Sequence, residues 1–272
     1  MEKSILLISD LPGSGKIALG AMMPVLSRMG HRVYNLPTAL VSNTLDYGRY
    51  SLLETTDYMA ETFRVWRELG FAFDAVAAGF LVSARQSALT ADFCRDAAAH
   101  GARIFTDPIM ADNGRLYNGR PPENADWLRE LAAVSDLILP NTTEAALLTG
   151  LTWAPEQTDG ELTAMLDGLR ALGARSAVIT GARTAEGLCA AGFDGETGTE
   201  FRIRCDEVPG RFAGAGDAFS SVLIGALLSG AALESAARRA ADTVSRMLRR
   251  YVSEGCTLKG VPVERYFDLL DA

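Results

Sequence analysis

The chain has 272 residues, of which 48% are hydrophobic and 22% charged, with 26 Gly and 10 Pro. This is the composition of a folded globular protein and not of a disordered or low-complexity one. A formal net charge of -8 argues against nucleic acid or an anionic membrane as the main partner, because both demand concentrated Lys and Arg.

The N-terminus, MEKSILLISD, lacks the long apolar stretch and small-residue cleavage site of a signal peptide. No apolar run approaches the roughly 18 residues of a membrane span, so a cytoplasmic protein is expected.

In chain order, SILLI (4–8) predicts a strand, followed by a helix at 17–29 and a second strand, RVYNL (32–36). A helical pattern at 57–70 leads to the strand AVAAG (75–79), and one at 86–100 leads to RIFTD (103–107). Helices at 123–134, 142–149 and 159–172 surround the strands LILP (137–140) and SAVIT (176–180). Such β-α alternation predicts a largely parallel sheet with helices on both faces.

After Gly181 the rhythm breaks. GLCAAGFD and TEFRIRCD flank GETG as a hairpin on one sheet edge, and two helices follow at about 217–229 and 231–251. No Pro-rich, Ser-rich or charged linker divides the chain, so a single domain over residues 1–272 is expected. Ligands of such sheets bind beyond the C-terminal ends of the strands, which directs attention to the loops there.

Four cysteines, Cys94, Cys189, Cys205 and Cys256, form no CxxC pair, which opposes both a zinc site and a disulfide framework. The two histidines, His31 and His100, each sit beside a glycine at an apparent helix end. Acid-base chemistry is therefore expected from carboxylates.

SDLPGSGK (9–16) has the look of a phosphate loop at a strand-to-helix junction. In the GxxxxGK[ST] pattern the first glycine would fall at Asp10 and the metal-binding hydroxyl at Ile17. An aspartate would repel phosphate and isoleucine cannot bind a metal, so the spacing fails. A tight turn with positive φ at Gly13 or Gly15 remains.

The better anion site is FAGAGDAFSSVLIGALLSG (212–230). Phe219, Val222, Leu223, Ala226 and Leu227 follow helical spacing, which predicts a helix with one buried face starting near Asp217 and ending at Gly230. Gly214, Ala215 and Gly216 permit a tight bend whose amides converge on an anion at the helix N-terminus. Asp217 is then either a helix cap or a general base for an attacking hydroxyl.

GAGDAF resembles the G-[TA]-G-D signature of the ribokinase-like (PfkB) superfamily. LPTALVSN, DPIMADNGRLY and LPNTTEAALLTG resemble, in the same order, blocks of its pyridoxal, pyridoxine and pyridoxamine kinases. The resemblance extends from the first strand to about residue 250 and implies an α/β ribokinase-like three-layer α/β/α sandwich. It also implies an ATP-dependent kinase that phosphorylates the 5'-hydroxymethyl group of a vitamin B6 vitamer, in pyridoxal phosphate salvage.

By that resemblance Asp217 matches the catalytic base, and the backbone of Gly214, Ala215 and Gly216 matches the anion hole. NTTE places Asn141 and Glu144 near the phosphates and a hydrated magnesium ion, a role that helix capping by Asn141 does not preclude. Asp107, Asp112 and Tyr117 match residues around the metal and the γ-phosphate, so that Asp107, Asp112 and Glu144 form the implied metal set, Glu144 through water. Thr180 and Gly181 match a strand end that contacts ATP. The implied cofactors are ATP and magnesium, with a monovalent cation left open, and the implied assembly is a homodimer.

At the substrate end the implied contacts are Asp10, Asn43 and Phe80. Asp10 stands where many relatives have serine, Leu45 where they have threonine, Asp46 where they have glycine, and Phe80 where they have tyrosine. Leu139 likewise replaces a threonine. Hydroxymethylpyrimidine, or a sugar or nucleoside, therefore stays open as the acceptor, as does a ligand-binding protein that lost catalysis.

Overall fold

The computed structural model describes residues 2–256 and 260–271. Its first half runs β1 (Ser4–Pro12), α1 (Leu19–Arg28), β2 (Arg32–Val41), β3 (Leu52–Glu54), α2 (Thr56–Glu68), β4 (Ala75–Ala78), α3 (Ala84–Ala99) and β5 (Arg103–Thr106). There follow β6 (Ala111–Asp112), β7 (Arg115–Leu116), α4 (Asn124–Ala132), β8 (Leu137–Ile138), α5 (Thr142–Thr149) and α6 (Asp159–Ala171). The last part comprises β9 (Ala177–Thr184), β10 (Gly187–Asp194), β11 (Thr199–Arg204), α7 (Ala215–Leu228), α8 (Leu233–Ser253) and a 3-10 segment, Val263–Leu270.

One sheet has the order β11-β10-β9-β8-β5-β4-β1-β2-β3. Its centre, from β2 to β9, is parallel. The predicted hairpin, β10 and β11, lies antiparallel at one edge beside β9. At the other edge the short β3 turns back antiparallel on β2, which the sequence pattern did not reveal.

The run Ile5 to Ile8 explains why β1 is central: all four side chains are fully buried. Ile5 and Leu7 enter a core with α1, α7, α8 and the C-terminal segment. Leu6 and Ile8, pointing the opposite way, enter a second core with α2 to α6. A strand covered on both faces has no reason to alternate apolar and polar residues. Each fully buried side chain contributes roughly 1.5 to 3 kcal/mol.

Several boundaries differ from expectation. β1 continues to Pro12 through a register shift against β2 between Ser9 and Leu11. The helix expected from residue 17 begins only at Leu19, because Ala18 takes φ 45. β9 passes through Gly181, at φ 68, and runs on to Thr184. α7 begins at Ala215 and is buried on all sides from Ala218 to Leu228, where one buried face was expected; it packs against both α1 and α8. Among the described residues no helix is long and apolar enough to cross a membrane.

Candidate active site

A cavity of about 840 Å³ opens at the C-terminal ends of the parallel strands. Asp10 reaches it from β1, Phe80 from the turn after β4, Asp107 from the turn after β5, and Thr180 from β9. The N-terminus of α7 closes one wall with Gly214, Ala215, Gly216 and Asp217.

Gly214 is the N-cap of α7, at φ 81. A Cβ there would come within 2.0 Å of the Lys16 carbonyl oxygen, so only glycine fits. Ala215 N–H donates to Phe212 O at 3.2 Å, which corrects the expectation that all three residues offer free amides. The amides of Gly214 and Gly216 make no such bond among the described residues. They remain at a helix N-terminus, where an anion is favoured.

Asp217 lies in the first turn of α7. Burial pushes its carboxyl up to about 6, while the backbone amides of Ala18 and of Asp217 itself favour the ionised form. The loop that failed as a phosphate cradle thus serves the carboxylate: Gly15, at φ 104, turns the chain and Ala18 presents its amide. Lys16 pairs with Glu264 in the C-terminal segment.

Around Asp217 the site is acidic. Asp10 is buried, and burial, then the charge of Asp217, pushes it up to about 7. Asp107 is raised to about 7 by burial and then by Asp217, although Ser220 Oγ donates to its Oδ2 at 2.7 Å. Glu144 is raised by burial and then by Asp107. The Tyr117 hydroxyl is raised by burial and by Glu144.

Glu144 accepts the backbone N–H groups of Asn141 at 2.9 Å, Met110 at 3.1 Å and Ala111 at 3.4 Å. Asn141 caps α5 through Thr143 N and Glu144 N in a reciprocal capping box, and its Nδ2 donates to Ala111 O. These bonds fix the Ala111 loop against α5. The Asp112-Asn113-Gly114-Arg115 turn follows, with Asn113 at φ 51 and Gly114 at φ 72, the geometry of a two-residue hairpin.

Carboxylates gathered on one cavity wall, as Asp107, Asp112 and Glu144 are, form the donor set that a hard cation satisfies, since a positive charge offsets their desolvation and mutual repulsion. Asp107, Asp112 and Glu144 therefore fit a magnesium ion that keeps some of its water. Among the described residues no three His, Cys, Asp or Glu side chains close into a metal cage, so the protein would supply only part of the shell.

At the other end of the cavity Phe80 is buried. Its N–H donates to Ser9 Oγ at 3.1 Å and its carbonyl accepts from Thr38 Oγ1 at 2.7 Å. The Arg120 guanidinium sits 4.8 Å from the Phe80 ring centroid. Thr44 and Leu45 line the cavity; Asn43, expected to contact substrate, does not. Its Nδ2 donates instead to the carbonyls of Thr44 and Arg49, and its Oδ1 accepts from Ser42 Oγ. The Asp46 side chain lies outside the described residues.

Thr180 N–H donates to Pro140 O at 2.9 Å, and Thr180 and Gly181 face the cavity from within β9 rather than from its end. Sequence reasoning missed Ser220, Arg120, Ala18 and Arg211. Ser220 had a signal, standing three residues after Asp217 on the same helix face. Ala18 and Arg120 had none, because they act through contacts distant in sequence. The histidines take no part: His31 is buried against Gly225 O, and His100 is exposed at the end of α3.

The chain matches the phosphomethylpyrimidine kinase family over residues 26–261. A pyridoxine/pyridoxal/pyridoxamine kinase of Bordetella bronchiseptica is 28% identical over 89% of this chain and 87% of its own length. Alignment to an Arabidopsis thaliana pyridoxal kinase, 31% identical over 54% of this chain, spans 48% of that protein, and alignment to a Caenorhabditis elegans relative spans 36%. The solved structure of a Bacteroides thetaiotaomicron protein, provisionally named a phosphomethylpyrimidine kinase and determined with pyridoxal, is 32% identical. It superposes with TM-score 0.94 over 100% of this chain and 96% of that one. With that match and these relatives, the chain belongs to the phosphomethylpyrimidine kinase family and groups with the pyridoxal kinases of the ribokinase-like superfamily.

Proposed function

We propose that the protein is an ATP-dependent kinase acting on the 5'-hydroxymethyl group of a vitamin B6 vitamer. The observation that carries the proposal is the position of Asp217: a half-buried carboxylate beside the open amides of Gly214 and Gly216, in one cavity with Asp10 and Phe80. The relatives named for pyridoxal and the Bacteroides structure that holds it support the acceptor.

Asp217 takes the proton of the acceptor hydroxyl as its oxygen bonds to the γ-phosphorus. The bond from that phosphorus to the bridging oxygen breaks, and the electron pair leaves with ADP. The free amides of Gly214 and Gly216 receive the negative charge of the moving phosphoryl group. Asp107, Asp112 and Glu144 would hold magnesium, whose charge, when bound, offsets that of the phosphates. Tyr117, Asn141, Thr180 and Gly181, which line the same cavity, would border the phosphates.

Phe80 offers a ring face to a flat acceptor and Asp10 a polar contact to its edge. A sugar, which has no flat aromatic face, fits this end less well, and hydroxymethylpyrimidine is not favoured by the relatives. Residues 1–272 would work as one catalytic domain, as a homodimer in the cytoplasm. ADP production with pyridoxal, pyridoxine and pyridoxamine, set against hydroxymethylpyrimidine, ribose and adenosine, tests the acceptor. A folded protein that turns over none of the three vitamers would reject it.

A further inference from the structure

A nucleoside triphosphate brings several negative charges into a cavity whose charged wall residues are mostly acids. Among the described residues, the basic side chains on that wall are Arg183 and Arg211. Arg183 is held 2.7 Å from Glu207, another wall residue. Arg211 stands three residues before the N-cap of α7, in the loop that becomes the anion site.

The guanidinium of Arg211 lies 3.4 Å from Asp112 Oδ2, and its side chain is 75% exposed. The flanking residues differ in freedom. Gly210 adopts φ 136, and a Cβ there would collide with the Phe212 ring. Phe212 packs edge-on against Tyr251, with ring centroids 5.9 Å apart. The backbone is thus anchored on the C-terminal side of Arg211, while its long side chain is exposed on the cavity wall.

We propose that Arg211 is the residue that grips the terminal phosphates of the nucleotide, giving up Asp112 for them when ATP binds. The inference rests on ATP as the phosphoryl donor. An exposed ion pair such as Arg211–Asp112 is weak and screened by salt, so leaving it costs little. A guanidinium meets phosphate through two parallel charged hydrogen bonds, a stronger arrangement than its single long contact to Asp112. The amides of Gly214 and Gly216 supply donors without net charge, and Arg211 adds the charge they lack. Departure of the guanidinium also frees the Asp112 carboxylate to face a cation.

Calorimetric titration of ATP, ADP and AMP, in magnesium, into the wild type, Arg211→Gln and Arg211→Lys tests this. Arg211→Gln should weaken ATP by about tenfold, ADP by less and AMP not at all, with Arg211→Lys recovering part of the loss. Equal losses for ATP and AMP, or an unchanged ATP affinity, would overturn the inference and leave the kinase reading standing. Wild-type protein that binds none of the three nucleotides would overturn both.

Discussion

Asp10 and Asp217, far apart in sequence, share one cavity wall, and the charge of Asp217 helps keep the proton on Asp10. Two acids brought together out of water cannot both ionise cheaply.

Stability should therefore depend on pH through Asp10. Its folded pKa, about 7, lies above the ordinary 3.8, so the folded state binds the extra proton between those values. Its contribution is full below about 4 and is lost as pH rises through 7. Asp10→Asn, which keeps the shape and removes the charge, should stabilise the ligand-free protein at pH 8 by about 2 kcal/mol and much less at pH 5. Thermal melts at the two pH values decide it; an equal gain at both would refute the cause. The same variant should raise the KM of the acceptor more than that of ATP.

Asp217 must be ionised to accept a proton, so the rise of its pKa to about 6 has the opposite consequence for rate. Turnover should climb as pH increases through about 6 and level off above it. Asp217→Asn should lower kcat by roughly 10²- to 10⁴-fold while ATP still binds. A variant that retains near wild-type kcat would remove Asp217 from the role of base.

The C-terminal segment supports the same carboxylate from a distance. Gly260 lies against the backbone of Lys16, where a Cβ would come within 2.3 Å of Lys16 N, and Lys16 O in turn faces Gly214. Gly260→Ala should push the Lys16–Ala18 turn off the α7 N-terminus and lower kcat by about tenfold, with the acceptor KM held. Gly255→Ala is the control: Gly255 has φ 61 and open space around it, so it shares the backbone strain without the collision. Equal loss of kcat in both variants would reduce the effect to strain alone.

Arg120 should act through Phe80. Burial lowers its guanidinium to about 10, and it sits over the ring rather than on the cavity wall. Arg120→Met should raise the acceptor KM about threefold by loosening the ring, an effect of about 0.5 to 1 kcal/mol. Phe80→Leu should raise it further. Initial-rate kinetics with acceptor and ATP varied separately will show whether the change is confined to the acceptor.

Much of this protein is written in local sequence. The buried strand Ile5–Ile8, the helix of α5 with its Asn141 and Glu144 capping box, and the glycine bend ahead of Asp217 depend on neighbours a few residues away. Spacing alone also rejected SDLPGSGK as a phosphate loop. The purpose of that loop was not legible: Ala18 reaches Asp217, and Lys16 meets Gly214 and Gly260, across about 200 residues of chain. The same holds for Asn43, which sits beside wall residues Thr44 and Leu45 yet spends its amide on its own loop. Periodicity and motif spacing record which residues are near in sequence. Which carboxylates lose their water together, and which amide faces them, is decided only when the sheet brings distant strand ends to one cavity.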